Sequence, residues 1–233
     1  MKKYRHVFFD LDHTLWDFDR NSDETILELY EQGGFARSLG HDGADYLKLY
    51  RETNFRLWEE YRQGKLDKET LRIRRFRESF KAIGYYDEAG IRDFERSYLA
   101  EAPRKKALVD GALEILEALA ERKMRLHIIT NGFSETQSIK LKESGIAHFF
   151  DLVMTSDTLQ VHKPEAAIFI ESLKRSGAQR VESFMVGDSL LADVIGARQV
   201  GMDQAYYNPR AKPHEENITI ELRSLSDLLP YLE

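Results

Sequence analysis

Apolar-rich runs alternate with amphipathic stretches along most of the chain. The runs fall at 6–9, 126–130, 150–155, 184–187 and 204–207, with a weaker one at 217–220. Between them, helical periodicity occupies 111–122, 135–144, 165–176 and 190–200. Short apolar strands separated by helices predict βαβ crossovers and a parallel sheet buried on both faces. Local signals agree with that reading. Ser134 followed by Gln137 has the spacing of a capping box, and Pro164 falls where a first-turn proline is tolerated. Gly145 and Gly177 stand where helix C-caps are expected. The predicted fold class is α/β, a doubly wound parallel sheet.

One region breaks the alternation. Across 18–102 no strand pattern occurs, only helical periodicity. Ile73, Phe76, Phe80 and Ile83 form one apolar stripe, and 25–31, 45–62 and 91–101 carry similar patterns. The expected organisation is an α/β catalytic core from 1–17 and 103–233, with an all-helical cap domain over 18–102. An insertion after the first strand of such a sheet lies beside the usual ligand crevice. The chain has no internal repeat and no low-complexity tract.

Composition narrows the function classes. The chain has 233 residues, 42% of them hydrophobic, enough for a sizeable core. It contains no Cys, which excludes a disulfide framework, a thiolate zinc site and a Cys nucleophile. Lys and Arg number 34 against 40 Asp and Glu, a formal net charge of −6 that does not favour a nucleic acid polymer as partner. No run approaches the ~20 apolar residues of a membrane helix, and the first apolar run ends at Asp10, too early for a signal peptide. A cytoplasmic protein without membrane partners is expected, as a monomer or weak homodimer.

Chemistry-bearing residues gather at the predicted strand ends. Asp10 and Asp12 straddle the end of the first strand, so that one carboxylate can act as nucleophile or metal ligand while the other exchanges a proton. Thr130, Asn131 and Gly132 end the second strand at a helix N-terminus, offering a hydroxyl and amides to an anion. Lys163 precedes Pro164 and a helix. Gly187-Asp188 ends another strand, with Asp193 about one turn into the next helix. A parallel sheet brings all these ends to one edge. Asp10, Asp12 and Asp188 gathered there would need a cation, because like charges at short range raise one another's pKa. Mg²⁺ fits, since it takes carboxylate and phosphate oxygens. The constellation predicts phosphoryl transfer, a reaction catalysed by positioning and electrostatics.

Asp10-Leu11-Asp12-His13-Thr14, Thr130-Asn131-Gly132, Lys163-Pro164 and Gly187-Asp188 with Asp193 resemble, in order and spacing, the four motifs of the haloacid dehalogenase-like hydrolase superfamily. The region 18–102 resembles the helical cap of one branch, and the fold implied for the core is Rossmann-like. The resemblance implies that Asp10 is the nucleophile that becomes an aspartyl-phosphate. Asp12 would protonate the leaving group and then activate water. Thr130 and Lys163 would hold the phosphoryl group, with Asn131 and Gly132 beside them. Asp10, the main-chain carbonyl of Asp12, and Asp188 would bind Mg²⁺, with Asp193 in or just behind that shell. His13 receives no required role. Members that dehalogenate lack the second carboxylate of the first motif, so Asp12 implies a phosphatase or phosphomutase.

A narrower resemblance concerns the substrate. Residues 128–133 with Gln137, residues 15–19 and residues 57–64 are similar to the pyrimidine 5′-nucleotidase branch, whose members hydrolyse UMP, dUMP, dTMP and noncanonical pyrimidine monophosphates. His162 departs from the small residue many relatives carry before the Lys-Pro pair. The expected partner is thus a small phosphorylated metabolite, a pyrimidine nucleotide. A sugar-phosphate phosphatase or phosphomutase is the alternative, and a phospho-aspartate signalling module a remote one. In the cap, Phe55, Trp58 and Tyr61 are either core or a stacking face for a base. Arg72, Arg74, Arg75 and Arg77 are either a solvated face or a steering patch for anions. The cap is expected to close over Asp10, hinging near 16–19 and 102–105.

Overall fold

The computed structural model describes residues 4–232. The chain forms two compact units, one from the segments up to Phe18 and from Lys105 onward, the other from Asp19–Arg104. In chain order the helices are α1 (Phe18–Gln32), α2 (Phe35–Leu39), α3 (Gly43–Arg62), α4 (Lys68–Ala82), α5 (Glu88–Glu101), α6 (Ala112–Glu121), α7 (Ser134–Glu143), α8 (Ser156–Leu159), α9 (Ala166–Ser176) and α10 (Gly196–Gln199). Among the described residues, no helix is long and apolar enough to cross a membrane.

The first unit is built on strands β1 (His6–Phe9), β2 (Arg125–Thr130), β3 (Phe150–Thr155), β4 (Ser183–Gly187), β5 (Asp203–Tyr207) and β6 (Ile220–Leu222). They pair in parallel in the order β3-β2-β1-β4-β5-β6, as the sequence pattern predicts for a doubly wound α/β fold. β1 is central and wholly buried because its side chains feed two cores. Val7 and Phe9 pack with Leu116 of α6 and Leu141 of α7, while Phe8 packs with Ile168 and Phe169 of α9 on the other face. The strand order reverses between β1 and β4, the place where open sheets of this kind bind ligands beyond their carboxyl ends.

Several local expectations are corrected. The last strand is Ile220–Leu222 rather than 217–220, because Thr219 bonds the Gln204 side chain instead of joining the ladder. The segment 190–200 is not one regular helix: a π-helical turn, Leu190–Ile195, precedes α10. Ser134 and Gln137 form no capping box. Phe133 is the N-cap of α7, and both polar side chains bond to other elements. Pro164 lies before α9, whose N-cap is Glu165, and the Lys163–Pro164 peptide is cis. Gly177 does cap α9, at a left-handed φ of 70°.

The second unit, Asp19–Arg104, is all helical, with Asp42, Asp67 and Asp87 accepting backbone N–H bonds at the starts of α3, α4 and α5. Its core is aromatic: Tyr46 lies 4.5 Å from Phe80 and 4.9 Å from Tyr30, ring centre to ring centre. Phe76 and Phe80 of the predicted stripe are fully buried. Phe55, Trp58 and Tyr61 do not share one environment, since Phe55 is 70% exposed and Tyr61 is 8% exposed. The arginine run is not a free basic patch. Arg74 pairs with Glu60 and Glu78, Arg77 with Glu88, and Arg75 is buried over the rings of Phe76 and Tyr98.

Candidate active site

β1 runs out at Asp10, whose N–H still donates to the Val186 carbonyl at 2.9 Å and so holds the carboxylate at the sheet's edge. Lys163 reaches it from the loop before α9. Its buried ammonium donates to Asp10 Oδ1 at 2.7 Å, to Asp193 Oδ1 at 2.6 Å and to the Ile129 carbonyl at 2.7 Å. Three donors meet three acceptors, so every N–H of this ammonium is engaged. The Lys163 backbone is fixed in turn by Asn131, whose side chain accepts from Lys163 N–H at 2.8 Å and donates to its carbonyl at 3.0 Å.

Asp193 returns to the site from the π-helical turn. Ser189 anchors that turn: its carbonyl accepts from Asp193 N–H, its hydroxyl accepts from Ala192 N–H, and its own N–H donates to Asp193 Oδ2 at 3.0 Å. Gly187 leaves room for this, because a Cβ there would lie 2.2 Å from Asp193 Oδ2. Asp188 completes the group, its N–H donating to Thr14 Oγ1 at 3.1 Å. One oxygen from each of Asp10, Asp188 and Asp193 falls within 4.8 Å of the other two.

Three carboxylates around one ammonium leave a surplus of two negative charges. The pKa values register it. Burial, then the charges of Asp193 and Asp12, outweigh Lys163 and push Asp10 up to about 6; burial and Asp10 likewise raise Asp188 to about 6. Burial opposes the Lys163 charge, but Asp10 and Asp193 overcome it and push that ammonium up to about 12. An oxygen-only donor set with excess negative charge fits a hard divalent cation.

The Asp12 carboxylate is not in this group. It faces α7, where Lys140 Nζ donates to Oδ1 at 2.6 Å and Gln137 Nε2 to Oδ2 at 2.9 Å. Burial would raise its pKa, yet Lys140 and Gln137 hold it below the usual carboxylate range. The acids that gather are therefore Asp10, Asp188 and Asp193, whereas the strand ends alone suggested Asp10, Asp12 and Asp188. The reason is that α7 carries its own cation for Asp12.

Gln137 Nε2 also donates to Thr130 Oγ1 at 2.9 Å, and Gly132 N–H reaches the same oxygen at 3.1 Å. The Thr130 hydroxyl accepts twice, which leaves its proton to donate elsewhere. Of the residues that the sequence offers to an anion, Gly132 thus bonds Thr130 through its N–H and Asn131 holds Lys163 through its side chain, while the neighbouring Ser134 N–H bonds Asp157. Sequence reasoning missed Lys140, Thr14 and Ser189. Gln137, Lys140 and Leu141 are the buried positions of α7, so two polar residues occupy a face that is ordinarily apolar.

The fold and this edge define a hydrolase-like α/β enzyme site. The family model described as haloacid dehalogenase-like hydrolase matches residues 4–201, and the chain belongs to that family. It is 34% identical to the pyrimidine 5′-nucleotidase PynA of Streptococcus pneumoniae, across 99% of this chain and 95% of PynA. It is 28% identical to the pyrimidine 5′-nucleotidase YjjG of Escherichia coli, across 97% and 96%. The crystal structure of the HAD-hydrolase YfnB of Bacillus subtilis bound to magnesium superposes with a TM-score of 0.88, at 29% identity and covering 99% of both chains.

Proposed function

We propose that this protein is a phosphomonoesterase acting through an aspartyl-phosphate, with pyrimidine nucleoside 5′-monophosphates as substrates. The observation that carries the reading is the buried group of Asp10, Asp188 and Asp193 around a single lysine, an arrangement with a net negative charge. Its fit to Mg²⁺ is supported by the magnesium in the YfnB structure. Asp10, Asp188 and the main-chain carbonyl of Asp12 would hold the ion, with Asp193 supporting them. When bound, the ion neutralises charge so that a phosphate can approach Asp10.

The chain's own residues then divide the work. Asp10 attacks phosphorus, and the bond from phosphorus to the nucleoside 5′ oxygen breaks. Asp12, entering the step in its protonated form, gives that oxygen its proton and is left as the carboxylate that Lys140 and Gln137 bond. A water then attacks the aspartyl-phosphate at phosphorus, Asp12 takes its proton, and inorganic phosphate leaves with the Asp10 carboxylate restored. Thr130 donates its free hydroxyl proton to a phosphoryl oxygen, beside the loop of Asn131 and Gly132. Lys163, with its N–H groups engaged, acts on the phosphoryl group through its charge. Similarity to PynA over nearly the whole chain supports the choice of pyrimidine nucleotides.

The test is phosphate release with Mg²⁺ across a panel of phosphorylated metabolites. Pyrimidine monophosphates are expected to give the highest kcat/KM; a sugar phosphate at the top of the panel would replace the substrate and keep the chemistry. A single turnover in heavy-oxygen water is expected to label phosphate and leave Asp10 unlabelled. Label in Asp10 would mean attack at its acyl carbon, the dehalogenase outcome, and would overturn the reading.

A further inference from the structure

Two lysines divide the acids of this site. Lys163 serves Asp10 and Asp193, whereas Lys140 serves Asp12. Lys140 is an unexpected residue at its position. It is 5% exposed, on the inward face of α7, with its ammonium 4.3 Å from the centre of the Trp16 ring and 5.5 Å from that of Phe18. An apolar side chain of similar length would fill that place without desolvating a charge. Replacing a buried ion pair by apolar residues is often neutral or stabilising, so packing alone gives no reason for a lysine here.

What the lysine does provide is geometry. Gln137 lies three residues earlier on the same helical face and is completely buried. Its amide holds Asp12 Oδ2 at 2.9 Å while bridging to Thr130, and Lys140 holds Oδ1 at 2.6 Å. The two aromatic rings fix the ammonium from the side. The carboxylate is thus tied at both oxygens by side chains from one rigid helix.

We propose that Lys140, acting with Gln137, is a positioning residue that holds the Asp12 carboxylate in the orientation needed to protonate the leaving group. This rests on the reading of Asp12 as the acid. Its signature is a dependence on the leaving group. A nucleoside oxygen must receive a proton as it departs, whereas p-nitrophenolate departs without one. The ratio kcat/KM covers the steps up to leaving-group departure, and loss of properly folded enzyme lowers it equally for both substrates.

Lys140→Met keeps the stem against Trp16 and removes the cation. It is expected to lower kcat/KM for uridine 5′-monophosphate by about tenfold or more, while changing that for p-nitrophenyl phosphate by no more than about threefold. Gln137→Met, which frees the other oxygen, is expected to split the two substrates in the same direction, and supplies the reading should Lys140→Met fail to fold. Equal losses on both substrates, or no loss on either, would overturn the proposal. Asp12→Asn separates this from failure of the underlying reading. If Asp12→Asn discriminates between the substrates and the α7 variants do not, only the positioning role is wrong. If Asp12→Asn treats the two substrates alike, Asp12 is not the acid and both fall.

Discussion

At the scale of single residues, Lys163 sets the electrostatics of the site. Among the described residues its ammonium is the one cation bonded to Asp10 and Asp193, and it is buried with them. Removing one partner of such a group leaves uncompensated charge, which is costly. Lys163→Met is therefore expected to destabilise the metal-free α/β unit by about 3 kcal/mol or more at pH 7.5, read by urea denaturation. The loss should shrink as pH falls through about 6, where Asp10 and Asp188 take up protons. A loss below about 1 kcal/mol at pH 7.5 would mean that the acids are not charged together. Lys163 was legible in the sequence because a cation before a proline stood immediately ahead of a predicted helix. Lys140 was not, since a lysine on an amphipathic helix ordinarily reads as solvated, and only its partner Asp12, 128 residues away, reveals its direction.

At the scale of elements, the strands were the most legible part, because a run buried on both faces leaves an unbroken apolar signature. The ends of β1, β2 and β4 carry their chemistry where the pattern stops, at Asp10, Thr130 and Gly187-Asp188. The turn after β4 was less legible. Hydrophobic periodicity does not distinguish a π-helical turn from an α-helical one, yet the wider turn is what carries Asp193 back over Ser189 N–H. The accommodation depends on Gly187, where an added Cβ would meet the Asp193 Cβ at 2.6 Å, too near the backbone to swing aside. Gly187→Ala is expected to displace Asp193 and weaken Mg²⁺ binding by about 10- to 100-fold, measured by calorimetric titration. Unchanged affinity would show that Asp193 does not support the ion. The short strand β6 was misplaced for a related reason: side-chain bonds between Gln204 and Thr219 replace backbone pairing just before it.

At the scale of the whole molecule, the chain interrupts one α/β unit with a helical one, crossing between them near 18–19 and near 104–105. The change from alternating strands and helices to helices alone announced this division. The acidic neighbours of the α4 arginines on their own helix were legible, but Glu60 of α3 and Glu88 of α5 were not, because only the fold brings them to Arg74 and Arg77. Linkage between metal and protons gives a prediction for the whole protein. The folded pKa values of Asp10 and Asp188, about 6, lie above the ordinary 3.8. Between those values the folded state holds more protons than the unfolded one, so rising pH through that window destabilises the metal-free protein. Bound Mg²⁺ would remove the penalty. At about one hundred times its Kd it should raise the Tm of the α/β unit by about 5–10 °C at pH 7.5, and by distinctly less at pH 5. An equal rise at both pH values would contradict the coupling. The central claim, that Asp10 itself becomes phosphorylated, is tested most directly by rapid acid quench of the enzyme turning over a radiolabelled phosphomonoester, followed by peptide mapping. The account predicts hydroxylamine-labile label on the peptide containing Asp10 and none in Asp10→Asn. Turnover with no labelled protein, or label on any other residue, would contradict it.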